Sequence, residues 1–232
     1  MEKGNDLNVL ITGSSNGLGR CLAWQFAKPE NTLILHGRNG DRLSAFCSLL
    51  NKDHGTRAEM VLGDIRSEIT KTWLYSAALR NDIDVLINNA GIYQHGDPGK
   101  ISPDELDAVI EINLIAPIRL ALLIYPIMAA RGSGRIVNLN SLAGREFNDR
   151  EAAYCASKWG LRGFMGSFRH EARKHGVSVL DVYPGAMQTD MMLDRSGYDD
   201  MMDPDDVAEV IAGLCQRDAD SLSVNEIEIG RL

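Results

Sequence analysis

Short apolar segments alternate with longer amphipathic segments along the 232 residues of the chain. The apolar segments are rich in Val, Ile and Leu and have the length of β-strands, at residues 7–11, 32–35, 58–62, 83–87, 135–139, 177–182 and 224–229. Helical patterns lie between them, at residues 17–27, 41–52, 68–80, 103–131, 152–175 and 204–215. This alternation is typical of consecutive βαβ units.

The strand segments are mostly runs of apolar residues and do not, as a set, alternate regularly with polar positions. Strands of this kind are covered on both faces, which predicts an α/β fold with a doubly wound, mostly parallel seven-stranded sheet and helices on both sides. Because no linker divides the chain, residues 1–232 are interpreted as a single domain.

Charge and composition argue against several classes of protein. The 24 basic and 32 acidic residues give a formal net charge of -8, which disfavours a nucleic-acid-binding surface. The 4 cysteines are scattered and the 5 histidines lack metal-ligand spacing, so neither a disulfide framework nor a metal site is expected.

The apolar stretch at residues 115–130 contains Pro117, Arg119 and Pro126, so it is interpreted as a buried helix and not as a membrane anchor. The first residues are polar and lack the apolar core of a secretory signal. We therefore expect a protein of the reducing cytoplasm, without membrane partners.

A glycine-rich loop, residues 12–19, joins the first predicted strand to the first predicted helix. Glycines at such a turn let backbone amides approach a pyrophosphate at the positive end of the helix. A tight strand-to-helix connection without a ligand is the alternative. The residues expected to contact a dinucleotide are Gly13, Ser15, Asn16, Gly17, Leu18 and Gly19.

The second predicted strand ends at His36-Gly37-Arg38, where a cofactor without a 2'-phosphate would favour an acidic side chain on the ribose. Arg38 instead offers a charge-assisted grip on a phosphate, and Arg42 could supply a second cation. NADP(H) is therefore expected in preference to NAD(H). NAD(H) stays open because either arginine could be a solvated surface charge.

Polar residues also follow the third and fourth predicted strands. Ligands of doubly wound sheets bind at the carboxyl ends of the strands, which predicts that these residues flank the adenine and the ribose. A turn that satisfies its own backbone is the alternative for the sequence Asn-Asn-Ala-Gly. The expected contacts are Asp64, Ile65, Asn89, Ala90 and Gly91.

Ser141, Tyr154 and Lys158 form the candidate catalytic group. Tyr154 and Lys158 are four positions apart, so they share a helical face. A neighbouring ammonium that lowers the tyrosine pKa by roughly 3 units would contribute about 4 kcal/mol, and a phenol needs such help to act as a base. Ser141 could polarise a carbonyl oxygen while Tyr154 gives or takes the proton. Without that chemistry, the pair is an aromatic residue and a lysine of an amphipathic helix.

The order of these motifs, from residue 7 to residue 229, resembles that of the short-chain dehydrogenases/reductases in an NADP-preferring branch. Residues 12–19 match the family's cofactor loop, residues 88–91 its NNAG motif, Asn113 its catalytic asparagine, Ser141 its serine, and Tyr154 and Lys158 its YxxxK pair. The resemblance implies a single Rossmann-type domain in which Pro184, Gly185, Met187 and Thr189 also contact the cofactor.

The resemblance implies a role for each catalytic residue. Tyr154 is the acid/base, Ser141 positions the substrate oxygen, and Lys158 binds the nicotinamide ribose and lowers the tyrosine pKa. Asn113 holds a water in a proton relay. The alternative for Asn113 is a side-chain bond that bends its helix, and Asn140 stands where the family usually has serine.

These features predict an NADP(H)-dependent oxidoreductase that interconverts a carbonyl and a secondary alcohol on a small molecule. One alternative is an NAD-linked dehydrogenase of hydroxy compounds, similar to the 3-hydroxy-acid dehydrogenases. Another is a non-catalytic scaffold that senses a dinucleotide. The resemblance also implies a homodimer or a homotetramer.

Weaker signals concern the substrate and the assembly. Methionines at residues 186–202 suit an adaptable lid over an apolar ligand. Tyr93 and His95 could touch the substrate, and Arg145 and Arg150 could bind a substrate carboxylate or phosphate, if they are not simply exposed. A close approach of another helix would account for three glycines in the sixth predicted helix, Gly160, Gly163 and Gly166.

Overall fold

The computed structural model describes residues 6–216 and 223–231. Within them, the strands are β1 (Asn8–Ile11), β2 (Thr32–Gly37), β3 (Arg57–Leu62), β4 (Val85–Asn88), β5 (Gly134–Leu139), β6 (Val177–Pro184) and β7 (Glu226–Ile229). They form one parallel sheet in the order β3-β2-β1-β4-β5-β6-β7. The predicted fold class is confirmed.

The helices cover both faces of this sheet, as the uninterrupted apolar strands predict. They are α1 (Gly17–Gln25), α2 (Gly40–Asp53), α3 (Glu68–Arg80), α4 (Pro103–Ile110), α5 (Ala116–Arg131), α6 (Ala152–Arg173) and α7 (Pro204–Cys215). Val9 and Ile11 of β1 pack with α1, α2 and α7, whereas Leu10 packs with the helices of the opposite face. Alternate residues of one strand therefore enter two separate cores.

The middle of the sheet creates the crevice in which the site lies. β1 pairs with β2 on one side and with β4 on the other. The chain winds away from β1 in both directions, so the loops that leave β1 and β4 diverge at their carboxyl ends. The glycine-rich loop and the Asn89 loop start at these two ends.

The helix predicted over residues 103–131 is interrupted. One π-helical turn, Glu111–Ile115, joins α4 to α5 and contains Asn113. The stretch Pro103–Arg131 is long and apolar enough to cross a membrane, with a mean hydropathy of 1.8. Its residues Leu120 and Ile124 nevertheless lie in the core under the sheet, in agreement with its interpretation as a buried helix.

Three polar side chains cross the apolar sheet in register. Asn88 of β4 is paired with Asn138 of β5, which is paired with Asp181 of β6. Asn88 Nδ2 donates to Asn138 Oδ1, and Asn138 Nδ2 donates to Asp181 Oδ1, both at 2.9 Å. Arg169 of α6 donates to the other oxygen of Asp181 at 2.6 Å. These four residues form a polar ladder through the core.

The three glycines of α6 differ in their surroundings. A Cβ atom added at Gly160 would lie 3.0 Å from Leu114, so this glycine permits a close contact within the chain. At Gly163 and Gly166 an added Cβ would meet no described atom within 4 Å. The close approach inferred from the sequence therefore holds inside the chain only for Gly160.

We expect Gly163→Ala to raise the free energy of unfolding by about 0.5–1 kcal/mol, because alanine is the better helix former and the added methyl has space. Gly160→Ala is the matched control, in which contact with Leu114 should cancel the gain. Urea unfolding followed by circular dichroism measures both. A destabilised Gly163→Ala would contradict the prediction and would point to a second molecule on this face.

Candidate functional site

Five hydrogen bonds tie the ends of β1 and β4 together. Thr12 Oγ1 accepts from the backbone N–H groups of Asn89 and Ala90, both at 3.0 Å, and donates to the carbonyl of Ile87 at 3.4 Å. Asn89 Nδ2 donates to the carbonyls of Thr12 and Gly13, at 2.9 and 3.1 Å. We call this set of bonds the Thr12–Asn89 link. It sets the spacing between the glycine-rich loop and the Asn89 loop.

Glycine is required at two positions of the loop. Gly13 has a φ of +69°, and an added Cβ would lie 2.9 Å from the Cα of Ala90. An added Cβ at Gly19 would lie 2.3 Å from the carbonyl oxygen of Gly13. Gly19 therefore lets α1 pack against the loop, and it does not line the cleft, in contrast to the expected cofactor contact.

A cleft of about 450 Å³ opens above these loops. Most of the residues that the sequence predicts to bind a cofactor line this cleft. Gly185 lies instead in the adjacent pocket, where its N–H donates to Ile229. Lining the cleft are Gly13, Ser15, Asn16, Gly17, Leu18, Arg38, Asp64, Ile65, Asn89, Ala90, Gly91, Tyr154, Lys158, Pro184, Met187 and Thr189.

Arg38 and Arg42 both line the cleft beyond the end of β2, and both are exposed. Arg42 lies 3.7 Å from the carboxylate of Asp190, which also accepts a hydrogen bond from Asn16 Nδ2. Asp190 thus connects the segment after β6 to the glycine-rich loop and to α2, across the mouth of the cleft. The sequence offered no signal for this contact.

The Arg66 side chain holds the carboxylate of Asp64. Arg66 Nε donates to both oxygens at 3.1 Å, and its Nη2 donates to Oδ2 at 2.7 Å. These bonds lower the pKa of Asp64 to about 2, so the side chain is an anion at the edge of the cleft at neutral pH. Arg66 was not identified from the sequence.

His36 is a further residue that sequence reasoning missed. Its Nδ1 accepts from the N–H of Gly13 at 3.4 Å, and its Nε2 lies 3.1 Å from the carbonyl of Gly63. A neutral ring protonated at Nε2 satisfies both partners. Burial lowers its pKa to about 4, against the opposing hydrogen bond to Gly63. Neutral His36 thus joins the glycine-rich loop to the end of β3.

A second pocket of about 450 Å³ adjoins the cleft, and Tyr154 lines both. Ser141 lies in the second pocket, and its hydroxyl accepts from the N–H of Ala143 at 3.2 Å. Lys158 Nζ donates to the carbonyl of Leu139 at 2.8 Å and lies 5.6 Å from the centre of the Tyr154 ring. The structure therefore brings Ser141, Tyr154 and Lys158 together.

The pKa of Tyr154 departs from the sequence expectation in its direction. Burial raises it to about 12, while the hydroxyl of Ser141 opposes the rise. Burial also lowers the pKa of Lys158 to about 8. The lowered tyrosine pKa expected from an adjacent ammonium is not found in this structure, because burial dominates both groups.

Asn113 lies behind the cleft and not in its wall. It is buried, and its Oδ1 accepts from the N–H of Ile92 at 2.9 Å while its Nδ2 donates to the carbonyl of Ile92 at 2.8 Å. Nδ2 also lies 3.3 Å from the hydroxyl of Ser157. The bonds reach another segment, so the alternative of a bond within its own helix is wrong. Its catalytic role stays a prediction.

The segment after β6 covers the second pocket. Met187, Met191, Met192 and Met201 line it, in agreement with the predicted lid. Tyr93 also lines this pocket. Arg145 and Arg150, which the sequence suggested as ligands of an anionic substrate, are absent from the described lining of both cavities.

Arg145 is engaged in other contacts. It forms ion pairs with Glu226 and Glu228, at 2.5 and 3.4 Å, and its guanidinium lies 4.1 Å above the ring of Tyr183. Arg150 is exposed, with a φ of 65°. Neither residue supports the suggested binding of a substrate carboxylate or phosphate.

Known proteins resemble the chain in sequence and in structure. The family model described as short chain dehydrogenase matches residues 7–197. Ketoacyl reductase HetN of Nostoc sp. is 38% identical over 189 residues, and mouse dehydrogenase/reductase SDR family member 7 is 31% identical over 197 residues. The alignments cover 80% and 81% of this chain but only 66% and 57% of those proteins.

A solved structure matches over nearly the whole length of both chains. It is a metagenomic short-chain oxidoreductase in complex with NADP, with a TM-score of 0.85 and 32% identity. The superposition covers 97% of each chain.

The buried, neutral His36 should make the free energy of unfolding depend on pH. Its folded pKa, about 4, lies below the unfolded value of 6.5, so the folded state binds fewer protons between these values. The contribution of neutral His36 to the free energy of unfolding is fully present above pH 6.5. It falls by about 3 kcal/mol in total as the pH falls toward 4.

His36→Gln removes this titration. We therefore expect the difference in free energy of unfolding between wild type and His36→Gln to shrink as the pH falls from about 7 to about 4. Denaturant unfolding at a series of pH values measures it. Parallel stability curves for the two proteins would contradict a neutral, buried His36.

Proposed function

The chain belongs to the short-chain dehydrogenase family of NAD(P)-dependent oxidoreductases, and from that premise we propose that it interconverts a carbonyl and a secondary alcohol on a small molecule with NADP(H). The observation that carries the proposal is the position of Tyr154, which lines both the long cleft and the pocket that contains Ser141. A proton donor at this junction can serve a carbonyl that faces the cleft.

The cleft fits a dinucleotide phosphate. The glycine-rich loop leads into the amino end of α1, where backbone N–H groups favour a pyrophosphate. An added Cβ at Gly13 would press on Ala90, so the loop lies as close to the Asn89 loop as its backbone allows. Arg38, exposed at the end of β2, suits a 2'-phosphate, and the Asp64 carboxylate suits a hydrogen-bond donor on the adenine or ribose.

Bound NADP(H) supplies the hydride for reduction or accepts it in oxidation. The chain's own residues manage the proton and the orientation. Tyr154, with its raised pKa, carries its proton at neutral pH and can donate it to the oxygen of a reduced carbonyl. Ser141 can donate a hydrogen bond to the same oxygen, which polarises the carbonyl.

Lys158 lies next to Tyr154 and supports its proton chemistry. Its Nζ is fixed by the carbonyl of Leu139, and it lines the cleft where a ribose hydroxyl would lie. With a pKa lowered to about 8, it can exchange protons near neutral pH. Asn113 supports this region indirectly, because it fixes the Ile92 backbone just beyond the Asn89 loop.

The metagenomic structure at 32% identity contains NADP, which supports the choice of cofactor. An NAD-linked dehydrogenase of hydroxy compounds remains the alternative within enzymes. A non-catalytic dinucleotide sensor is the alternative outside them, although the intact Ser141, Tyr154 and Lys158 group argues against it.

We also propose a cytoplasmic homodimer or homotetramer. The exposed Val210 of α7 supports an interface through this helix. The free thiols of all four cysteines are compatible with a reducing compartment.

Removal of the Tyr154 hydroxyl tests the chemistry. We expect Tyr154→Phe to lower kcat/KM for carbonyl reduction by about several hundredfold, because the proton donor is lost while the ring remains. Tyr125→Phe is the matched control, since this tyrosine of α5 packs on Phe168 of α6 and lies outside the two cavities. Activity of Tyr154→Phe near that of wild type would contradict the mechanism.

Calorimetric titration with NADPH and NADH tests the cofactor. We expect NADPH to bind about tenfold tighter or more in the wild type, and Arg38→Ala to erase that preference, because we assign the 2'-phosphate to the guanidinium of Arg38. The exposed Arg173→Ala is the control and should keep the preference. Equal affinities in the wild type favour the NAD-linked alternative. Tight binding without turnover of any carbonyl substrate favours the sensor.

A further inference from the structure

One wall of the second pocket carries a buried carboxylate. Glu151 lies just before α6, three positions ahead of Tyr154, and is only 7% exposed. Its Oε1 accepts a hydrogen bond from the hydroxyl of Tyr93, and its Oε2 accepts from Asn148 Nδ2 at 3.1 Å. Both carboxyl oxygens thus accept a hydrogen bond, the side chain caps no helix N–H, and Glu151 lines the pocket.

Arg195, from the lid segment after β6, also lines this wall of the pocket. Arg195 Nη2 lies 3.9 Å from Oε1 of Glu151, and the Arg195 guanidinium lies 5.5 Å above the ring of Tyr93. The Tyr93 ring in turn meets the Tyr154 ring edge to face, with centroids 5.1 Å apart. Glu151 is therefore two contacts away from the acid/base.

The charges around this pocket do not cancel. Among the described lining residues, the charged side chains are Glu146, Glu151 and Arg195, so two carboxylates face one guanidinium. Glu146 is exposed at the rim, whereas Glu151 is buried in the wall of the pocket that Ser141 and Tyr154 also line. The 3.9 Å between Arg195 and Glu151 is long for an ion pair, so Arg195 compensates only part of the Glu151 charge.

We propose that Glu151 selects the substrate: it excludes carbonyl compounds that carry a negative charge and accepts a hydrogen bond from an N–H donor on neutral or cationic ones. A carboxylate has about four acceptor positions, and Tyr93 and Asn148 use two of them. A like charge placed beside it is disfavoured because the site is partly shielded from water. The inference rests on the proposed carbonyl reduction and names its substrate class.

Three para-substituted benzaldehydes test the proposal. 4-Methylbenzaldehyde is neutral, 4-carboxybenzaldehyde is an anion, and 4-(dimethylaminomethyl)benzaldehyde is a cation with one N–H donor at neutral pH. The readout is kcat/KM with NADPH, expressed for each charged aldehyde relative to the neutral one. Comparison of this ratio between variants cancels the intrinsic reactivity of each aldehyde.

Glu151→Gln keeps the size of the side chain and removes its charge. We expect the ratio of anion to neutral to rise about tenfold and the ratio of cation to neutral to fall by about the same factor. Glu171→Gln makes the same change of charge on the exposed part of α6, beside Lys174, and should leave both ratios unchanged. Tyr93→Phe keeps the carboxylate but removes its hydrogen-bond donor, so it should keep the wild-type preference.

The pH profile separates a charge effect from a change of shape. The negative charge of Glu151 contributes to the raised pKa of Tyr154, so Glu151→Gln should move the alkaline fall of kcat/KM for the neutral aldehyde to lower pH. Glu171→Gln should not move it. The other titratable or charged groups around the Tyr154 ring are Lys158, Cys155 and Tyr93, and Arg195 lies above the Tyr93 ring.

The outcomes are distinct. Unchanged ratios in Glu151→Gln, with normal turnover of the neutral aldehyde, would overturn the inference and leave the proposed function intact. An equal loss of selectivity in Tyr93→Phe would also overturn it, because the shape of the wall and not its charge would then decide. Failure of the wild type to reduce all three aldehydes would contradict the proposed function, and this inference with it.

Discussion

The Thr12–Asn89 link is the constraint on which the rest of the site depends. Two loops that leave neighbouring strands in diverging directions are held together by one hydroxyl and one carboxamide. With the loops held at this distance, a Cβ at Gly13 has no room, and α1 must begin where its amide groups face the cleft. The glycines are therefore required by the link as much as by any phosphate they receive.

Burial then determines the proton chemistry next to the cleft. Tyr154 and Lys158 lie on one face of α6, and the removal of water from both favours their neutral forms. This arrangement leaves a proton on the phenol and places the lysine close to its titration at neutral pH. The electrostatic surroundings of the pair extend beyond α6, through Tyr93 to Glu151 and the lid residue Arg195.

Short-range patterns made part of the structure predictable. Apolar runs and glycine spacing predict the sheet and the order of strands and helices along the chain. A four-residue helical spacing predicts that Tyr154 and Lys158 lie together, with Ser141 as the third member of their group. The π-helical turn around Asn113 could not be predicted, since the apolar pattern continues through it. The contact of Tyr93 with Glu151 depends on folded geometry, since the two residues are 58 positions apart. Burial, which raises the pKa of Tyr154, is likewise decided by the whole fold.

The polar ladder has a consequence for how the sheet assembles. Strands made only of Val, Ile and Leu offer similar contacts in several alignments, and a slip by one residue would exchange their two faces. Asn88, Asn138 and Asp181 meet their partners in one alignment alone, and any other leaves a carboxylate or an amide in the core without a donor or acceptor. The ladder thus favours the native alignment over a shifted one, and it does so between the strands whose ends carry the Asn89 loop and Ser141.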